Sequence, residues 1–221
     1  MLDKEAVLLK DVQAGILDQC LHIYQCKGQT LVLPSGKKWL DSQEIKHELA
    51  DIGWKLLQRR SGGAPVPQTP GLLNLSHIYH WTHDQPYSVS LAYQHFCAVL
   101  TLFFEHYGLR AQAHATPNSY CDGDYNLNID GQKIIGTAQR VVNRKDGSKV
   151  VMAQACIILD GDMQQLVKPV NLINYLHGID DLIKAEAHTC LSQHVTDMPS
   201  IDHAINQVIN AFVKSKLYRG K

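Results

Sequence analysis

The stretch SYCDGDYNLNIDGQKIIGTAQR, from Ser119 to Arg140, places a cysteine, Cys121, a short way before a lone lysine, Lys133. A thiol can attack an acyl carbonyl and hold the acyl group as a thioester. An ammonium beside it would favour the thiolate and stabilise the oxyanion. Between the two stands Asp130-Gly131, the strongest short signal for a β-hairpin when flanked by apolar-bearing strands. A two-residue turn there pairs Ile129 with Gln132 and Asn128 with Lys133, so that Asn128 and Lys133 project from one sheet face. Gly136 would let a ligand chain approach beside them. The same pattern fits a buried, inert cysteine and an edge lysine that keeps a sheet soluble, and spacing alone favours that blander reading.

A second chemical segment is Arg59-Arg60-Ser61-Gly62-Gly63, where a strand runs into two arginines and two glycines. Glycines allow backbone N–H groups to face a ligand, and arginines suit a carboxylate, a phosphate or a thioester carbonyl. A plain glycine connection with solvated arginines is an equal alternative. In SHIYHWTH, His77, His80 and His83 are spaced by three. On a strand His77 points away from the other two, so no metal site is expected. The cysteines stand at 20, 26, 97, 121, 156 and 190, with no C-x-x-C pair. Cys20, Cys26 and Cys156 read as structural thiols, and with no secretory signal a disulfide framework is not expected.

The elements that must position these groups follow from periodicity. Helices are expected over residues 3–18, from the Asp41-Ser42 cap to Ile52, over 87–107 and after Ser200. Strands are expected at Leu21 to Tyr24, Gln29 to Leu33, Trp54 to Gln58, Leu72 to Trp81, Leu109 to Ala115, Asn126 to Ile129, Gln132 to Val142 and Val150 to Leu159. No linker or repeat interrupts the chain. The expectation is one α+β domain over residues 1–221, with a mostly antiparallel or mixed sheet and helices packed largely on one side.

Lys and Arg number 21 and Asp and Glu number 21, a balance that gives no reason to expect nucleic acid or an anionic membrane as partner. The N-terminus lacks the basic-then-apolar order of a secretory signal, and the apolar runs are too short to span a bilayer. A soluble, cytoplasmic protein is expected.

Three blocks, taken in order, resemble the lipoate-protein ligase and octanoyltransferase family, whose catalytic domain is shared with biotin-protein ligases. They are RRSGGAPV…GLLNLS (Arg59 to Ser76), DGQKIIGTAQR (Asp130 to Arg140) and QACIILDGD (Gln154 to Asp162). The resemblance implies a biotin/lipoate ligase-like catalytic domain that holds a medium-chain acyl group in an apolar tunnel under the Gly-rich loop. It implies Cys121 and Lys133 as catalytic residues. It implies Arg59, Arg60, Ser61, Gly62, Gly63, Asn74, Asn128, Gly136 and Gln139 as substrate-binding residues.

Ligases of that family usually carry His, Asp and Asp where this chain has Gln68, Thr69 and Asn126, and they commonly carry an accessory C-terminal domain that is not expected here. The pattern SYC-x-G-x-x-[DN]-L, followed by G-x-K-x-x-G-x-x-Q-R, is instead similar to the octanoyl-[glycine-cleavage H protein]:protein amidotransferases. These pass an acyl group through a cysteine thioester, so the implied activity is octanoyl or lipoyl transfer to the lysine of a lipoyl domain. The implied partners are lipoyl domains of the glycine-cleavage H protein or of 2-oxoacid dehydrogenase subunits, or acyl carrier protein, and no cofactor or metal is implied. An ATP-dependent lipoate-protein ligase and a non-catalytic acyl-domain binder are the alternatives.

Overall fold

The computed structural model describes residues 2–36, 38–59, 63–82 and 86–215. Helix α1 spans Leu2–Ala14 and ends four residues earlier than periodicity suggests. Ile16 and Leu17 turn their N–H groups back onto the Asp11 carbonyl, so the chain leaves the helix after one further turn. Strand β1 (Gln19–Gln25) and strand β2 (Thr30–Leu33) follow, and then helix α2 (Gln43–Asp51). Ser42 caps α2 as expected, its hydroxyl accepting the Ile45 N–H at 3.2 Å.

Three strands come next: β3 (Lys55–Gln58), β4 (Val66–Gln68) and β5 (Leu72–His80). Helix α3 covers Val89–Glu105. The expected strand at 109–115 shrinks to β6 (Gln112–Ala113). Beyond it lie β7 (Leu127–Ile129), β8 (Gln132–Asn143) and β9 (Lys149–Ile158). Helices α4 (Met163–Leu176) and α5 (Ile201–Ser215) complete the described elements, with short 3-10 turns at Ala185–Ala187 and Leu191–Gln193 between them.

The strands form two sheets. The larger has six strands in the order β1-β5-β9-β8-β7-β6, and every adjacent pair is antiparallel. The smaller has the order β3-β2-β4. Its β2 and β3 are parallel, which requires a crossover, and α2 is that crossover. Strand β4 has no sequence signal because Pro67 sits inside it. It pairs only with β2, at the sheet edge where proline is tolerated.

The antiparallel α+β class is as expected, but the helices divide between the two faces of the large sheet. Strand β5 is buried on both faces along nearly its whole length, so both need cover. On one face Leu73, Leu75, Ala153, Ala155 and Ile157 pack against Phe96, Leu100 and Phe103 of α3 and Val208 of α5. On the other, Ile78, Val150 and Met152 pack under Leu9 and Val12 of α1. Further along that second face, Leu72 and Ile158 join a core shared with Leu31 and Leu33 of the small sheet and Leu166 and Val170 of α4.

Two close backbone geometries fix the frame around the hairpin. Asp130 and Gly131 both have positive φ, 50° and 80°, which closes a two-residue turn whose twist matches the strands. The predicted pairs Ile129–Gln132 and Asn128–Lys133 form. At the far ends of β5 and β9, Leu159 and Asp160 both donate to the Gly71 carbonyl, and a Cβ at Gly71 would stand 2.0 Å from the Asp160 oxygen. Only glycine fits there.

Candidate active site

Cys121 lies in the loop between β6 and β7 and is half-buried. Its φ is 50°, a left-handed conformation that a non-glycine residue enters at a cost of about 1–3 kcal/mol. The loop is over-determined by its hydrogen bonds. Asp122 Oδ1 accepts the Thr116 N–H at 2.6 Å, Asn126 N–H donates to Gly123, and Lys184 N–H donates to the Asn118 carbonyl. Asn126 Nδ2 donates to the Cys121 carbonyl at 3.0 Å while its Oδ1 accepts the Thr137 N–H at 3.0 Å, which pins the cysteine to β8.

Lys133 reaches the same point from β8. The blander reading made it an edge lysine that keeps the sheet soluble, but its side chain is fully buried. The ammonium donates to the Tyr120 carbonyl and, at 3.1 Å, to the Cys121 carbonyl. It also stands over the Tyr120 ring, 4.5 Å from its centroid. Burial holds its pKa down at about 8, with Cys121, Cys156 and Asp122 acting in the opposite sense. A Cβ at Gly136 would stand 3.4 Å from Lys133 Cε, so the missing side chain makes room for the lysine itself.

Arg59 approaches from the small sheet. Its Nη2 donates to the Ala64 carbonyl at 2.8 Å and its Nη1 to Val32 at 3.3 Å. Burial lowers its pKa and the nearby Cys121 opposes that shift, so two cations lie within electrostatic reach of this thiol. Gly63 leaves space for the arginine, since a Cβ there would stand 2.9 Å from Nη2. Arg60, Ser61 and Gly62 lie outside the described residues.

The other expected substrate-binding residues divide. Asn74 faces the site from β5, opposite Cys156 on β9, which in turn pairs with Gly136. Its amide donates to Gln68 Oε1 at 2.7 Å, and Gln68 also contacts the sulfurs of Cys26 and Cys156. Half-buried Cys156 is therefore a neighbour of the lysine, with its thiol pushed up to about 12 by burial.

Asn128 and Gln139 are not available as expected. Asn128 bonds Thr116 Oγ1, the His114 carbonyl and the Asn126 carbonyl, so its amide is already engaged in holding the loop. Gln139 pairs with Ala153, which faces α3, and donates to the Tyr87 hydroxyl at 2.7 Å. An odd number of strand positions separates it from Gly136, which places it on the opposite face of the sheet.

His188 and Tyr120 were not singled out in the sequence. His188 is 1% exposed and follows the Ala185–Ala187 turn, and its backbone bridges to Lys133. A single histidine among twelve carries no periodic or motif signal of its own. His77 and His80 are directed differently: His77 stacks on Tyr79, while His80 contacts Arg144. His83 lies outside the described residues, and among those described no group of three or more His, Cys, Asp or Glu could hold a metal.

A cavity of about 80 Å³ lies beside Cys121, lined by Lys38, Trp39, Tyr120, Val170, Asn174 and Asp181 among others. The arrangement is a thiol in a strained turn, with Lys133 bonded to its backbone carbonyl, Arg59 within electrostatic reach and a small pocket of mixed polarity beside it. Chemically it can host a thiolate and stabilise negative charge on an oxygen next to it.

Scaffold and site together define an α+β domain in which a cysteine turn and a buried lysine meet beside a small pocket. The chain belongs to the lipoyl protein ligase A/B catalytic domain family, whose model matches residues 1–213. It is 35% identical over 109 residues to an octanoyl-[GcvH]:protein N-octanoyltransferase of Macrococcus caseolyticus, covering 49% of this chain and 38% of that protein. It is 29% identical over 110 residues to a lipoyl-[GcvH]:protein N-lipoyltransferase of Listeria monocytogenes, covering 50% of this chain and 37% of that protein. The chain thus spans well under half the length of these curated relatives.

Among solved structures, a lipoate-protein ligase A bound with ATP superposes with a TM-score of 0.69 at 15% identity, covering 96% of this chain and 80% of that one. A bi-partite lipoate protein ligase from Thermoplasma acidophilum superposes with a TM-score of 0.65 at 15% identity, covering 99% and 82%. At such identities the likeness shows the fold. No helix among the described residues is long and apolar enough to cross a membrane.

Proposed function

We propose that this chain is an acyltransferase that carries an octanoyl or lipoyl group on Cys121 and passes it to the lysine of a lipoyl domain. The observation that carries the reading is the Cys121 turn, held at positive φ by Asn126 and by the Lys133 ammonium. A structural thiol needs neither the strain nor a buried ammonium on its own carbonyl. The curated relatives are named as transferases acting between GcvH and protein, which supports the same chemistry here.

In the first half-reaction the Cys121 thiolate attacks the donor carbonyl carbon. The carbon–sulfur bond forms, the carbon–nitrogen bond to the donor lysine breaks, and the departing amine takes a proton. In the second, the acceptor amine attacks the thioester, and the thiolate leaves as the acceptor nitrogen loses a proton. Two Lys133 N–H groups serve the Tyr120 and Cys121 carbonyls, and in this reading the remaining one meets the oxyanion. With a pKa of about 8, Lys133 is also poised to give and recover a proton near neutral pH. Ligand pockets usually run to about 300–1,000 Å³, so the small cavity must widen for an eight-carbon chain. Each buried methylene then contributes about 0.8 kcal/mol.

The expected partners are the lipoyl domains of the glycine-cleavage H protein and of 2-oxoacid dehydrogenase subunits, with acyl carrier protein as the other donor, and the expected compartment is the cytoplasm. An ATP-dependent ligase is the second reading, motivated by the ATP-bound structural neighbour. Gln68 weighs against it, because its amide is spent on Asn74, Cys26 and Cys156.

The test is to incubate the protein with an octanoylated lipoyl domain. One octanoyl mass, labile to hydroxylamine and mapped to Cys121 rather than to any other cysteine, supports the reading. Transfer by Cys121→Ala at the normal rate, or modification only with Mg-ATP and free acid, overturns it.

A further inference from the structure

His188 shares no hydrogen bond with Cys121, yet it contacts Tyr120, the residue before the cysteine, and its backbone bridges to Lys133. Its imidazole stacks on the Tyr120 ring, with centroids 4.7 Å apart and planes 12° from parallel. Its Nε2 lies 3.2 Å from the Tyr120 backbone nitrogen. Its Nδ1 lies 2.9 Å from the Lys184 carbonyl. Its backbone bridges to Lys133, and the next residue, Thr189, donates its N–H to the Lys133 carbonyl at 2.9 Å.

The partners dictate the protonation state. A carbonyl can only accept, so Nδ1 carries the hydrogen. A backbone N–H can only donate, so Nε2 must present its lone pair. His188 is therefore neutral and in a single tautomer. Burial, aided by the Lys133 charge, lowers its pKa to about 4, which agrees with that assignment.

Tyr120 is the link to the chemistry. Its N–H goes to His188, its carbonyl to Lys133 Nζ, and its ring to both. The next residue is Cys121, at positive φ. Moving Tyr120 would move the ammonium and the thiol together.

We propose that His188 is a positioning residue: as a neutral acceptor it fixes Tyr120, and through Tyr120 it sets the Lys133 ammonium against the Cys121 turn. This rests on the acyl-transfer reading for its consequence, though not for its geometry. A histidine is suited to the task because one flat ring supplies an acceptor, a donor and a stacking face at once.

The test uses the full chain and two variants. His188→Gln keeps an acceptor at similar reach, while His188→Phe keeps the stacking face and loses the acceptor. Folding is followed by circular dichroism, and iodoacetamide alkylation of Cys121 is followed by peptide mapping across pH. For folded His188→Phe the alkylation of Cys121 should slow, because the ammonium and the turn are displaced together. Its rate at neutral pH should drop about tenfold relative to the wild type. His188→Gln should stay close to the wild type in both alkylation and thioester formation.

Superimposable profiles and equal thioester yields for wild type and His188→Phe would overturn the proposal, leaving His188 as filling. Should His188→Phe not fold, the wild-type imidazole decides by nitrogen NMR. A neutral, Nδ1-protonated ring at pH 6 supports the assignment, and an imidazolium or the other tautomer overturns it. Failure of the wild type to form a thioester with any donor would sink the acyl-transfer reading alone, since alkylation and tautomer are read without a donor.

Discussion

Asn126 holds the carbonyl of Cys121 at 3.0 Å with one end of its amide and the Thr137 N–H of the neighbouring strand at 3.0 Å with the other. Neither end can be spared, because the residue is 2% exposed and water cannot substitute. Asn126→Leu should lower unfolding free energy by about 1–3 kcal/mol, the penalty for stranding buried polar groups. Acyl transfer should fall as well. Urea titration beside a transfer assay checks both, and an unchanged midpoint would mean the turn is held by its other bonds.

The left-handed φ of Cys121 makes an unusual ordering of variants testable. Glycine in an ordered position normally costs about 0.5–1 kcal/mol relative to alanine. Here alanine keeps the strain and glycine removes it. Cys121→Gly should therefore be at least as stable as Cys121→Ala, with neither forming a thioester. A clear deficit for glycine in thermal melts would argue that the turn relaxes once the thiol is gone.

Lys133 behaves as a core residue. Lys133→Ala leaves two carbonyls without their donor and opens a cavity, so it should cost stability on the order of 1–3 kcal/mol as well as activity. Lys133→Met fills the volume but strands the same carbonyls, so it should recover only the cavity part of that loss and transfer nothing. The lowered pKa also fixes a sign. Between about 8 and the ordinary lysine value the unfolded chain holds a proton that the native state has shed. Wild type should gain stability across that window relative to Lys133→Met. Parallel curves for the two proteins would show the ammonium to be solvated.

Two buried histidines set the acid limit. Burial depresses His188 to about 4 and His77 to about 3, against an ordinary 6.5. Both are kept neutral in the fold, so the unfolded chain takes up protons first and stability is lost as pH falls below 6.5. At pH 5 each contributes a loss of roughly 2 kcal/mol relative to pH 7. Replacing both with glutamine should flatten the drop between pH 7 and pH 5. An equally steep drop in that double variant would assign acid sensitivity to the carboxylates instead.

The hairpin was legible because Asp130-Gly131 is a local signal: two positive φ values in sequence demand those residue types, and the register follows from the turn. The Ser42 cap was legible for the same reason. The family likeness was legible in RRSGG and in the lysine block, and the match over residues 1–213 agrees with it. What escaped was tertiary. Alternation in β5 could not say that both faces were covered, because a fully buried strand reads as one apolar run. Lys133 looked like an edge residue because its cover, the 184–189 segment, lies far along the chain. His188 gave no signal because its role is made by two carbonyl–amide partners that the fold alone brings together.

The reactive turn and the framework around it close over very different spans of chain. Lys133 meets Cys121 across 12 residues, whereas Gln154 of β9 meets Glu5 of α1 across 149. The longer closure carries about 2 kcal/mol more entropic cost by the logarithmic rule. Assembly in time should follow that difference, with the β7–β8 hairpin and its cysteine loop able to form while the N-terminal helix is still undocked. In a refolding experiment, the lysine–thiol pair would be drawn together before α1 covers its face of the large sheet.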